Sequence, residues 1–175
     1  YAAILLFAFG VAGFFRPEPE LRILACVAAL AFLGCQAAIL RAAKGIPAWR
    51  APQVIALVMT TALAEGAGIL VFFQADASVL SFLAIAVVAR GVAWSRYWSA
   101  LKQPASRAAL APAGKVLVQL GTVAPLALLL AALFAPQAAL LAGSAALAAG
   151  WRLKYVLVAR AAFNQGFSLE HLPAR

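Results

Sequence analysis

The chain has 175 residues, of which 66% are hydrophobic and 11% charged, and it carries a net charge of +9. Soluble domains hold about a quarter charged residues, so this composition excludes an ordinary water-soluble globule. The positive balance does not signal a nucleic-acid binder, because no basic stretch is interleaved with aromatics in a soluble segment.

A hydrocarbon core about 30 Å thick is crossed by roughly 20 apolar residues at about 1.5 Å of helical rise each. Six stretches approach that length: Tyr1 to Phe15, Leu21 to Ala42, Ala51 to Phe73, Ser78 to Ser99, Lys115 to Ala135 and Gln137 to Ala159. They predict an all-α, polytopic transmembrane helix bundle forming a single domain over residues 1–175. The first stretch would rise only about 22 Å. It starts with Tyr, and neither a basic n-region nor a small-residue cleavage pattern precedes Arg16-Pro17-Glu18-Pro19-Glu20, so missing upstream residues are expected rather than a signal peptide.

The second stretch carries Cys26 and Cys35 with no other cysteine to complete a cluster, and both are expected to be small buried residues. The third contains Glu65, the fourth Arg90, Trp94 and Tyr97, the fifth Pro125, which could break it, and the sixth Arg152 and Tyr155. Pro17 and Pro19 should bar helix from the first joint, and Gly45 and Pro47 should break the second. Pro104 and Pro112 should bracket the longest, and Pro136 should mark the fifth. A barrel would need strands of about ten residues alternating in polarity, and these runs are continuous. Small residues recur at helix-contact spacing in Ala62 with Gly66, Ala64 with Gly68 and Ala146 with Gly150, which lets backbones approach where lipid gives no hydrophobic drive.

The joints alternate in charge. Arg41, Lys44 and Arg50, then Arg96, Lys102, Arg107 and Lys115, then Arg160 and Arg175 mark the second joint, the fourth joint and the tail. The intervening joints hold Arg16 and Arg22 offset by Glu18 and Glu20, then Asp76, then nothing. By the positive-inside rule the basic side and the C-terminus are expected to be cytoplasmic.

Haem between helices wants axial His or Met, and the sequence has only His171 in the tail and Met59. No bound haem, iron–sulfur cluster or other metal is expected, and no Walker loop, nucleophile elbow or paired-histidine motif occurs. The chemistry-bearing residues are the charges inside apolar spans. A charge at mid-membrane costs at least about 2.5–3.5 kcal/mol, so Glu65 needs a partner or a proton. Arg90 and Arg152 sit at suitable depth. Arg90, Trp94 and Tyr97 share a helical face, and Arg152 with Tyr155 makes a second polar face. Together they could line a hydrated path or flank a flat ring-shaped ligand. The plainer alternative is a structural ion pair of Glu65 with Arg90 or Arg152, with Arg96, Lys154 and Arg160 snorkelling. Trp49, Trp94, Trp98, Trp151, Tyr97 and Tyr155 resemble an aromatic belt, which accounts for Trp49 and Trp98, whereas Trp94 and Trp151 lie deep enough to contact a bound ring.

Three motifs, Lys44-Gly45-Ile46-Pro47-Ala48-Trp49-Arg50, Thr61-Ala62-Leu63-Ala64-Glu65-Gly66-Ala67-Gly68 and Arg160-Ala161-Ala162-Phe163-Asn164-Gln165-Gly166-Phe167, resemble the membrane anchor subunits of molybdopterin oxidoreductases. The dimethyl-sulfoxide-reductase anchors are the nearest group, with polysulfide-reductase membrane subunits and the phenylacetyl-CoA:acceptor oxidoreductase anchor as wider kin. The resemblance implies an eight-helix bacterial inner-membrane subunit whose last six helices are present here. Such a subunit binds no haem and exchanges electrons between menaquinone or ubiquinone and an iron–sulfur subunit, which serves a molybdopterin catalytic subunit. The quinone-site His and Glu of such anchors lie in helices this sequence lacks, so no catalytic residue carries over. Glu65, Arg90, Trp94, Tyr97, Arg152 and Tyr155 are then quinone or proton-path candidates. The docking face, opposite the termini, would comprise Arg16, Glu18, Glu20, Arg22 and Asp76. A secondary transporter with a midplane site, or a structural anchor without redox contact, are the rivals.

Overall fold

The computed structural model describes residues 1–15, 18–43 and 45–161. Arg16, Pro17, Lys44 and residues 162–175, which include His171 and most of the closing motif, lie outside the described residues. Among the described residues there is helix and turn and no strand. The order is α1 (Ala2–Phe15), α2 (Pro19–Ala42), a short α3 (Pro47–Arg50), α4 (Gln53–Phe73) and α5 (Ala77–Ala100). Then α6 (Pro104–Val118) passes through a π turn (Gln119–Val123) into α7 (Ala124–Ala131), and α8 (Gln137–Tyr155) ends in a second π turn (Val156–Arg160).

Among the described residues four helices are long and apolar enough to cross a membrane: α2, α4, α5 and the continuous Pro104–Ala131. The flanking two of the six expected stretches differ. Helix α1 has 14 residues, and α8 is diluted by Gly143, Ser144, Gly150, Arg152 and Lys154.

Proline acts differently from expectation in two joints. Pro19 and Pro104 occupy the first turns of α2 and α6, where a missing N–H forfeits no intrahelical bond. They therefore start helices rather than hold them off, and the fifth span begins well before Lys115. Pro112, expected to bound that joint, lies inside α6 with its ring on the exposed side. Pro125 does not break its span either. It follows the π turn, whose wider winding absorbs the local misfit, and the chain stays helical on both sides.

Asp76 starts α5 in the manner of an N-cap, its carboxylate accepting from the Val79 backbone N–H at 2.8 Å and from Ser78 Oγ at 2.6 Å. Gln74 Nε2 donates to the other oxygen. These bonds, the Ser78 hydroxyl first, hold the carboxyl below its ordinary value of 3.8. A group depressed in this way stabilises the fold above that value and loses the contribution as pH falls through its folded value. Asp76→Ala should lower the thermal midpoint of the detergent-solubilised chain by roughly 2–4 °C at pH 7. The difference should shrink as pH falls below the ordinary carboxylate range, and a gap independent of pH would disprove the linkage.

The interior divides into two apolar clusters. One gathers Val54, Leu57, Tyr97, Leu110, Leu117, Leu153 and Leu157 toward the basic end of the bundle. The other gathers Ala64, Ala67, Val71, Leu83, Val87 and Ala142 toward the opposite end. Lipid tails are as apolar as these side chains, so close van der Waals packing has to hold them together. Backbone meets backbone where α4 crosses α8: a Cβ on Gly68 would sit 2.8 Å from the Gly143 carbonyl oxygen, and one on Gly143 would sit 2.7 Å from that of Gly68. Ala64 with Gly68 and Ala146 with Gly150 are buried contact pairs as their spacing predicts. Ala62 with Gly66 is not, because Gly66 faces open space.

Helix α2 is peripheral and buries only Ala28 and Ala37. That position corrects the expectation for the cysteines: Cys26 and Cys35 are exposed on its outer side.

Candidate functional site

Glu65, Arg90 and Lys154 form a polar layer between the two apolar clusters. Glu65 stands about 18 Å along α4 from its start, close to the middle of the helix. Its Oε2 pairs with the Lys154 ammonium from α8. Glu65 keeps 12% of its side chain exposed and Lys154 39%, so the carboxylate lies inside and the ammonium reaches outward. Space for the carboxylate comes from Gly150, where a Cβ would lie 2.6 Å from Glu65 Oε1. Gly150 and Lys154 are one turn apart on α8. One supplies the room and the next supplies the counter-charge.

Arg90 is fully buried on α5. Its Nη1 donates to the Ala146 carbonyl at 2.8 Å and its Nη2 to the Gly121 carbonyl. Gly121 lies four residues before Pro125, which has no N–H to offer that carbonyl. A guanidinium from a neighbouring helix thus serves an acceptor that a proline has left short of its ordinary donor. Two buried atoms of the layer, Glu65 Oε1 and Arg90 Nε, have no hydrogen-bond partner among the described residues.

The structure brings some of the expected residues together and separates others. Arg90, Trp94 and Tyr97 share the buried face of α5, as their spacing predicts. Tyr97 donates its hydroxyl to the Ala48 carbonyl at 2.8 Å, tying α5 to α3. Trp94 packs on α6, where a Cβ at Gly114 would fall 2.3 Å from its Cζ2. Glu65 pairs with neither Arg90 nor Arg152. Lys154, expected to snorkel, is its partner, while Arg152 points outward with Trp151 and Tyr155, which are 72% and 57% exposed. The second polar face is therefore on the outside of α8 and cannot join the first. The belt reading also shifts: Trp94 is core, Trp151 is peripheral, and Trp49 donates its indole N–H to the Leu157 carbonyl at 2.9 Å.

The chain matches no family model, no curated protein and no solved structure. Lys154 lines a groove of about 330 Å³ between α2, α4 and α8, walled by Leu33, Val58, Ala62 and Leu157 with Gln36 at its edge. The groove adjoins the Glu65–Lys154 pair, and its walls are mostly apolar. No group of three or more His, Cys, Asp or Glu that could hold a metal occurs among the described residues. Of the residues expected on the docking face, Glu18, Glu20 and Arg22 are exposed, Asp76 is engaged in its cap, and Arg16 lies outside the described residues.

Proposed function

We propose that this chain is the membrane anchor of a quinone-linked molybdopterin oxidoreductase, moving electrons between the quinone pool and an iron–sulfur partner subunit. In this reading its helices are the last six of eight, all six stretches lie in the bacterial inner membrane, and the C-terminus is cytoplasmic. The observation that carries it is the Glu65–Lys154 pair beside Arg90, with Glu65 Oε1 and Arg90 Nε unpartnered inside the bundle. Quinone chemistry moves two protons with two electrons, and the protein's share of such work is binding and proton routing while the cofactors handle the electrons. An ionisable pair at mid-helix, next to a lipid-open groove, fits the routing role. The exposed Glu18, Glu20 and Arg22 at the opposite end offer a polar surface for the partner.

Two measurements test this. Purification from native membranes should bring molybdenum and iron–sulfur subunits with the chain. Glu65→Gln should leave that assembly intact and lower quinol-linked turnover at least about tenfold, about 1.4 kcal/mol in barrier. Full turnover in an assembled Glu65→Gln complex removes Glu65 from the route, and isolation without metal-bearing partners removes the anchor reading.

The transporter reading draws on the π turn at Gln119–Val123, an irregularity of the sort that midplane binding sites use. Arg90 argues against it, since its guanidinium is fully buried and already serves two backbone carbonyls there.

A further inference from the structure

We infer that the groove between the C-terminal part of α5 and the second half of α6 is a binding site for one anionic phospholipid, with the phosphate at Lys115 and an acyl chain along the indoles of Trp94 and Trp98. The groove holds about 330 Å³ and is lined by Trp94, Trp98, Gly114, Lys115, Val118 and Gln119 among others. Its shape is built in. Trp94 can lie flat on α6 only because residue 114 has no side chain. The two indoles lie with ring centroids 5.4 Å apart and tilted by 34°, and the Arg107 guanidinium lies over the Trp98 ring at 5.7 Å. Aromatic walls open to the acyl region suit a hydrocarbon chain.

Charge decides the headgroup. Arg50, Arg96, Lys102, Arg107, Arg152 and Arg160 gather at the basic end of the bundle beyond Lys115, and the one acidic residue on that side among the described residues is Glu65, already paired with Lys154. Lys115 is exposed and donates no hydrogen bond to the described protein. Arg107, by contrast, is occupied by the Leu101 carbonyl at 2.7 Å and the Trp98 carbonyl. Lys115 is therefore the cation available to the groove, and basic pockets between transmembrane helices select anionic headgroups. The site is independent of any redox role.

Native mass spectrometry of the full chain in neutral detergent, titrated with phosphatidylglycerol or with phosphatidylcholine of the same acyl chains, tests this. The expected result is one phosphatidylglycerol bound about fivefold more tightly than phosphatidylcholine. Lys115→Gln should abolish the preference, Lys115→Arg should keep it, and Arg152→Gln should leave it unchanged. Lys115 is exposed, so its variants should fold. Equal binding of the two lipids overturns the inference, as does equal loss in Lys115→Gln and Arg152→Gln, which would mean a diffuse positive surface. Brominated acyl chains on phosphatidylglycerol should quench tryptophan fluorescence, and Trp98→Leu should reduce that quenching. Quenching unaltered by Trp98→Leu would place the lipid elsewhere.

Discussion

Replacing Arg90 by methionine should destabilise the bundle by about 3 kcal/mol, measured by denaturation of the detergent-solubilised chain. Hydrogen bonds from a charged donor are worth about 1.5–3 kcal/mol each, and Arg90 makes two, to Gly121 and Ala146. Relief of the guanidinium's own desolvation offsets part of that loss. Pro125 cannot bond the Gly121 carbonyl, whereas alanine at 125 could. In a Pro125→Ala background the cost of Arg90→Met should therefore shrink by about 1 kcal/mol. Strict additivity in that double-mutant cycle would show that Arg90 is not compensating for the proline.

The crossing of α4 and α8 should be nearly as sensitive. Gly68→Val should cost about 2–3 kcal/mol, because the first added carbon would already meet the Gly143 carbonyl oxygen at 2.8 Å. Backbone cannot swing aside as a long side chain can, so the helices would have to separate along their whole contact. Gly66→Val, two residues away on the open side of α4, should stay within about 0.5 kcal/mol of the native protein. Propensity favours valine over glycine in a helix, so similar losses in both variants would mean that something other than the crossing sets the effect.

Depth and sequence separation explain why parts of the site are legible in the sequence. Arg90, Trp94 and Tyr97 lie within seven residues of one helix, and helical geometry alone puts them on one face. The need of Glu65 for a partner follows equally from the cost of burying a charge in lipid. Its partner's identity does not. Arg152 and Lys154 are two residues apart on α8 and therefore face different directions, so the choice between them depends on how α8 is rotated against α4. The Gly68–Gly143 contact sets that rotation and turns Gly150 and Lys154 toward Glu65. The i, i+4 spacing of Gly150 and Lys154 is a signal of that face, but Gly150 has the same spacing to Ala146, and the sequence does not rank the two. The cysteines of α2 defy expectation for a related reason: in an apolar bundle hydropathy does not distinguish the core from the lipid face.

Proline shows the same division at the level of the chain. Pro104 and Pro19 mark helix ends in sequence, but whether a proline closes one helix or opens the next depends on the residues after it, and both opened helices.

Composition and apolar run length by themselves determined that the chain is helical and that most of it is suited to a bilayer, since a backbone out of reach of water must satisfy its own hydrogen bonds. Tertiary structure alone decided which charges meet, which glycines touch and which aromatics are buried. Those outcomes depend on helix rotation and tilt, which in lipid are set by the shape of contacting surfaces rather than by hydrophobicity.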